Sequence, residues 1–182
     1  MKTDLEYFER QRFNRWLAGV LFLLTNGSFY YVGVSQYFIN KTWGNHPTDD
    51  TIYLISTILL TLVTVGFFFV RLDTLIDKEG IYYRMFPFHP KFKFLPWERI
   101  SEAEVKKMNP IKEMGGWGMR IRGVNFGGYG MRFGIRSKSY TVSGNRVLLL
   151  KLDNNKKIYI GTRKPDELSE FLVKLNAERK QK

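Results

Sequence analysis

Cysteine is absent from the 182 residues, so disulfides, zinc–thiolate sites and a cysteine nucleophile are excluded. Histidine is scarce: His46 and His89 are the only two, and they stand far apart. That leaves no histidine pair at metal-ligand spacing and no Ser/His/Asp triad, and paired carboxylates for glycosyl chemistry are not evident either. The expectation is therefore no metal, no cofactor and no enzyme. Charge is also missing over two long windows. Residues 16–38 carry none in 23 positions, and residues 51–70 carry none in 20.

As helices, windows of that length reach roughly 34 and 30 Å, enough to cross a hydrocarbon core of about 30 Å. The first window lacks the small-residue cleavage site of a signal peptide, and a second window follows it. Only the 12 residues INKTWGNHPTDD lie between them, enough for a hairpin loop. Basic flanks orient the pair. Arg10, Arg12 and Arg15 precede the first span, Arg71 follows the second, and the loop offers only Lys41. Both termini are thus expected on the cytoplasmic side, with Trp16, Tyr37, Trp43 and Tyr53 near the interfaces. Inside the first span, Asn26 is polar for its depth. On the second, Thr57, Thr61 and Thr64 fall at i, i+4, i+7 on one helical face. Polar residues pack membrane helices together, so Asn26 is expected to bond across to that threonine stripe. The competing idea, a polar transport path, lacks an intramembrane ionisable residue.

The net charge of +12 divides unevenly. Residues 1–70 balance five basic against five acidic side chains, so the whole excess belongs to residues 71–182. Periodicity changes there as well. LDTLID and IYYRMF flank Lys78-Glu79-Gly80 as a hairpin. KFKFLP alternates, with Phe92 and Phe94 on one side and Lys91 and Lys93 on the other. EAEVKKM reads as a further strand, and RVLLLKL and KKIYIG flank Asp153-Asn154-Asn155 as a second hairpin. Pro165 then opens a helix whose Leu168, Phe171, Leu172 and Leu175 form an apolar stripe. The expected layout is a basic segment at 1–15, a two-span hairpin at 16–70, and a β domain at 71–182 of about seven antiparallel strands closed by that helix.

Those spans, together with LIDKEGIYYR, FPWERI, NPIKEMGGWGMR, YTVSGN and YIGTRKPDELSEFL, resemble small bacterial membrane proteins with a cytoplasmic pleckstrin-homology-like domain. The resemblance covers nearly the whole chain, and the Gly-Gly-Trp-Gly and Gly-Thr-Arg-Lys-Pro-Asp-Glu-Leu phrases carry most of it. It implies an antiparallel β-barrel or sandwich capped by the C-terminal α-helix, and an inner-membrane location. It implies little about activity. Lipid-binding domains of this fold place basic residues around the first hairpin. Here Lys78 and Arg84 are joined by Asp77, Glu79 and Tyr83, so no headgroup pocket carries over.

One phrase is written twice. Gly115-Gly116-Trp117-Gly118-Met119-Arg120-Ile121 returns 12 residues later as Gly127-Gly128-Tyr129-Gly130-Met131-Arg132-Phe133. No helix follows either copy, as a phosphate-binding loop would require. Gly115, Gly116, Gly127 and Gly128 are expected instead as strand bends. Arg120, Arg122, Arg132 and Arg136 then alternate along strands. With Arg71, Lys91 and Lys93 they are candidates for an anion-attracting surface, and a solvated face that binds nothing in particular fits the same pattern. His89, between two prolines, reads as a turn residue. No groove-reading motif accompanies the charge, so nucleic acid is not the expected partner. The expected work is binding without chemistry, to a protein partner or a second copy with help from anionic lipid. The alternative is an accessory subunit of a transporter or envelope enzyme, contacting it through the spans.

Overall fold

The computed structural model describes residues 6–39, 49–109, 118–121, 124–126 and 137–180. The chain divides into two compact units: residues 13–70 form one, and the described residues up to Arg12 and from Arg71 onward form the other.

The first unit is a helical hairpin. Helix α1 spans Arg15–Ile39 and α2 spans Asp50–Gly66. Each begins at a side-chain cap, which satisfies amide groups that the first turn leaves without partners. Asn14 Oδ1 accepts from the amides of Trp16 at 2.9 Å and Leu17 at 3.4 Å. Asp49 Oδ1 accepts from those of Thr51 at 2.8 Å and Ile52 at 3.4 Å. Both helices are long and apolar enough to cross a membrane, over Arg15–Gln36 and Thr51–Phe69. Their outward side chains, among them Leu23, Leu24, Ile55, Leu59 and Leu62, are exposed, a surface that water alone would not favour.

Polar contacts join the helices, beside a ring stack of Phe29 on Tyr53 at 6.1 Å between centroids. Asn26 is fully buried; its Nδ2 donates to Thr64 Oγ1 at 2.9 Å and its Oδ1 accepts from Thr61 Oγ1 at 2.9 Å. Thr57 instead donates to the carbonyl of Tyr53 within its own helix. The Tyr53 hydroxyl donates to the Phe29 carbonyl, and Gly33 makes room for its ring, since a Cβ there would sit 2.8 Å from Tyr53 Cε1. A short 3₁₀ turn, Phe67–Phe69, ends the hairpin, and the Phe13 amide donates to the Val70 carbonyl at 3.0 Å.

The second unit holds two sheets and a helix. Strands β1 (Tyr7–Arg12), β2 (Arg71–Ile76), β3 (Gly80–Phe86) and β4 (Lys93–Pro96) form an antiparallel sheet in that order. The other sheet comprises β5 (Ile100–Lys107), β6 (Gly118–Ile121), β7 (Val124–Phe126), β8 (Ser137–Thr141), β9 (Arg146–Leu152) and β10 (Lys157–Gly161), ordered β5-β9-β10-β8-β6-β7. Helix α3, Pro165–Lys180, follows.

Three features differ from the sequence reading. Of the two architectures expected, barrel or sandwich, the closed barrel is not formed: the described strands make two sheets. They are also not all antiparallel: β8 pairs with β10 in parallel. The cause is the short link at residues 142–145. It reverses the chain but places β9 beyond β10, so β8 and β10, both antiparallel to β9 in direction, run the same way. Gly144 in that link adopts a positive φ of 82°, which glycine takes without steric cost. Third, the segment before the first helix contains a strand. Arg12 pairs with Arg71, so the helical hairpin is an insertion, in sequence, between two strands that are neighbours.

β1 is docked through its inward residues. Glu9, 5% exposed, accepts from the Tyr7 hydroxyl, the Thr162 hydroxyl and the Arg163 amide, each at 2.7 Å. Gln11, 0% exposed, donates to the Gly161 carbonyl at 2.5 Å. Tyr7 packs on Phe171 of α3 at 5.6 Å between ring centroids. The stripe Leu168, Phe171, Leu172 and Leu175 is buried, and at about 1.5–3 kcal/mol per side chain it contributes roughly 6–12 kcal/mol as an upper bound. Leu72, Ile76, Ile81 and Met85 from one sheet, and Leu148, Leu150 and Ile160 from the other, fill the interior.

Candidate anion-attracting face

The outward face of the first sheet follows from its register. Residues Arg10, Asp73 and Arg84 lie directly opposite one another across β1, β2 and β3, flanked by the row Arg12, Arg71, Phe86. One pleat further along come Phe8, Leu75, Tyr82 and Phe94. Alternation puts all of these on one face.

Asp73 is the anchor of that face. Its side chain is 0% exposed, and three guanidinium groups surround it. Arg10 Nε donates to Oδ1 at 2.7 Å and Arg84 Nε to Oδ2 at 2.7 Å. Arg71 Nε lies 3.5 Å from Oδ2 and is buried without a hydrogen-bond acceptor. One carboxylate against three guanidinium groups leaves a surplus of two positive charges, held in place by packing. Each guanidinium also lies over a ring: Arg84 on Phe92 at 4.4 Å, Arg71 on Phe86 at 5.0 Å and Arg10 on Phe8 at 5.5 Å. Such stacking fixes the arginine planes, and Arg84 Nη1 also donates to the Pro90 carbonyl at 3.5 Å. Around them Phe8, Phe88, Phe92 and Phe94 are 41–49% exposed, and Phe94 stacks on Tyr82 at 4.5 Å. Gly80 permits the close pairing of β3 with β4, because a Cβ there would overlap the Leu95 carbonyl and the Phe94 ring. Chemically, the face combines fixed cations with half-exposed rings.

The candidates named from sequence are distributed unevenly. Arg71 lies on this face, and Lys91 is exposed in the turn before β4. Lys93 turns the other way, into the space between the sheets, where its Nζ lies 3.5 Å from the Tyr140 hydroxyl. Burial, and then Lys138, hold its ammonium below the usual lysine range. Arg120 belongs to β6, which pairs with both β7 and β8, but its side chain is outside the described residues. Arg122, Arg132, Arg136, Gly115, Gly116, Gly127 and Gly128 lie outside them altogether, as do Trp117 and Tyr129. Asn26, Thr61 and Thr64 meet inside the hairpin, with Thr57 bonded to its own helix.

Sequence reasoning missed Arg10 as a surface residue, and Phe8, Asp73 and Arg84 as its companions. The signal was present in YFERQR, where Phe8, Arg10 and Arg12 alternate with Tyr7, Glu9 and Gln11. Two polar side chains on the inward side disguised it. Among the described residues no group of three or more His, Asp or Glu side chains is placed to hold a metal ion. No protein-family model matches this chain, and no curated protein matches it in sequence.

Proposed function

We propose that the chain is a membrane-anchored, non-catalytic binding module. In this reading its two helices span a bacterial inner membrane with both termini cytoplasmic, and its β unit is a pleckstrin-homology-like domain held at the inner leaflet. It binds a protein partner, or a second copy, with help from anionic lipid. The observation that carries the reading is the arginine–phenylalanine face built on Asp73. Arg10 and Arg71 lie within a few residues of the span ends in sequence, and an extended chain covers at most about 3.6 Å per residue. Each basic side chain near an anionic leaflet contributes roughly 1 kcal/mol, decaying over a Debye length of about 8–10 Å. Half-exposed phenylalanines at the same place suit a headgroup boundary. The alternative, an accessory subunit docked through its spans, has less behind it. Asn26 and Thr61, the polar groups such a contact would use, are satisfied within the hairpin.

The test is what stays bound. Full-length protein extracted from its native membrane in neutral detergent should retain anionic over zwitterionic lipid. Arg71→Gln combined with Phe92→Ser should reduce that retention. A stoichiometric co-purifying protein would identify the partner. Equal lipid retention by the wild type and the double variant would remove lipid from the account.

A further inference from the structure

A second cluster lies between the two sheets, at the turn joining β3 to β4. Tyr83 and Lys93 point inward from the first sheet, and Lys138 and Tyr140 share one side of β8 by their spacing of two. Tyr83 and Tyr140 pack at 5.0 Å between centroids, and Lys93 Nζ sits 5.6 Å from the centre of the Tyr140 ring. His89 approaches the same ring edge-on at 5.8 Å, and its Nδ1 is buried without a hydrogen-bond partner. Burial, and then the nearby Lys93 and Lys138, hold the His89 imidazole below the ordinary value. Among the described residues no carboxylate pairs with His89, Lys93 or Lys138. Contrast Asp73, where the same unit supplies a carboxylate to organise three cations. A half-buried ammonium and an unpartnered imidazole nitrogen, both beside a further lysine, cost stability unless something fills the site.

We propose that His89, Lys93, Lys138 and the Tyr140 hydroxyl form a binding site for a phosphate group, carried by a lipid headgroup or by a soluble phosphate ester. A tetrahedral oxyanion offers three or more acceptors. It would accept from Lys93 Nζ, Lys138 Nζ and the Tyr140 hydroxyl, and it would make protonation of His89 favourable, supplying a further donor. The site sits on the inward side of the sheet from the Asp73 face. It therefore goes beyond the function proposed above and stands even if that face meets no lipid.

The two histidines make the test direct. The imidazole signals of the full chain in neutral detergent can be followed by NMR against pH, with His46→Asn assigning His89. Inorganic phosphate should raise the His89 midpoint by about one pH unit or more, as expected for a close opposite charge. His46 should not follow. The phosphate-induced rise should be lost in Lys93→Gln and, independently, in the exposed-site variant Lys138→Gln. Sodium chloride at matched ionic strength should not reproduce it. Nanodiscs separate the two sources: a rise in phosphatidylglycerol without free phosphate assigns a lipid headgroup, and a rise with phosphate in detergent alone assigns a soluble ester. Absence of a rise in both settings, or an equal rise with chloride, overturns the site.

Discussion

Replacing Glu9 with alanine should unseat the N-terminal strand. The Glu9 carboxylate is buried and accepts three hydrogen bonds, from Tyr7, Thr162 and the Arg163 amide. Hydrogen bonds to a charged group are worth about 1.5–3 kcal/mol each, and they do not add fully when they share one acceptor. Truncation also strands two hydroxyls and an amide in the interior. Together these place the loss at about 3–5 kcal/mol, the range for breaking a buried charged network from one side. That is a large part of the roughly 5–15 kcal/mol available to a folded domain. At about 4 °C per kcal/mol for a domain of this size, the midpoint should fall by about 12–20 °C. The assay is thermal unfolding of the full chain in neutral detergent by near-UV circular dichroism, which reports the packing of Tyr7, Tyr83, Trp97 and Tyr140. Phe8→Ser, on the exposed side of the same strand, should change the midpoint little, within about 0.5 kcal/mol. A loss below about 1 kcal/mol for Glu9→Ala, or an equal loss for Phe8→Ser, would refute the docking of β1.

Asp73→Asn should split stability from lipid binding. It costs about 2–3 kcal/mol, less than a fully buried pair because its three arginines are partly exposed. The surplus charge rises from two to three, so affinity for anionic nanodiscs should increase about fivefold, one further charge at about 1 kcal/mol; parallel losses of both would contradict this. Asn26→Leu removes two inter-helix hydrogen bonds and should cost only about 0.6 kcal/mol, up to about 1.7, measured as detergent resistance of the hairpin. A much larger loss would mean that Asn26 contacts another molecule. For His89 the folded state holds the proton less tightly than the unfolded chain. Its contribution is therefore fully present above the unfolded value of about 6.5 and is lost as pH falls through it toward the lower folded value. A stability–pH profile should flatten there in His89→Asn; an unchanged profile would show that His89 does not titrate differently on folding.

Different parts of the fold were legible to different degrees, for physical reasons. The helical hairpin was plain because two charge-free windows admit few other structures. The helix stripe Leu168–Leu175 was plain because its period of 3.6 is sustained. β1 was hidden because its inward residues are Glu9 and Gln11, whose partners lie about 150 positions later in the chain. Only the fold reveals that those polar groups are satisfied. The alternation of KFKFLP was readable, but not its sense: Phe94 faces out and Lys93 faces in, against the usual preference, and both facts belong to candidate sites. The Asp73 cluster requires the register of three strands, one of them separated from the others by the whole hairpin. The parallel β8–β10 pairing depends on where a short link sets its strand down, which local pattern does not encode.

Hydrogen–deuterium exchange of the full chain in nanodiscs, read by mass spectrometry, tests the central claim most directly. In phosphatidylglycerol compared with phosphatidylcholine, β1, β2 and the turn from Phe86 to Phe94 should gain protection, while β9 and β10 should exchange alike in both. Raising the salt should erase the difference, because the attraction is screened over about a Debye length. Identical exchange of the Asp73 face in the two lipids would contradict the account.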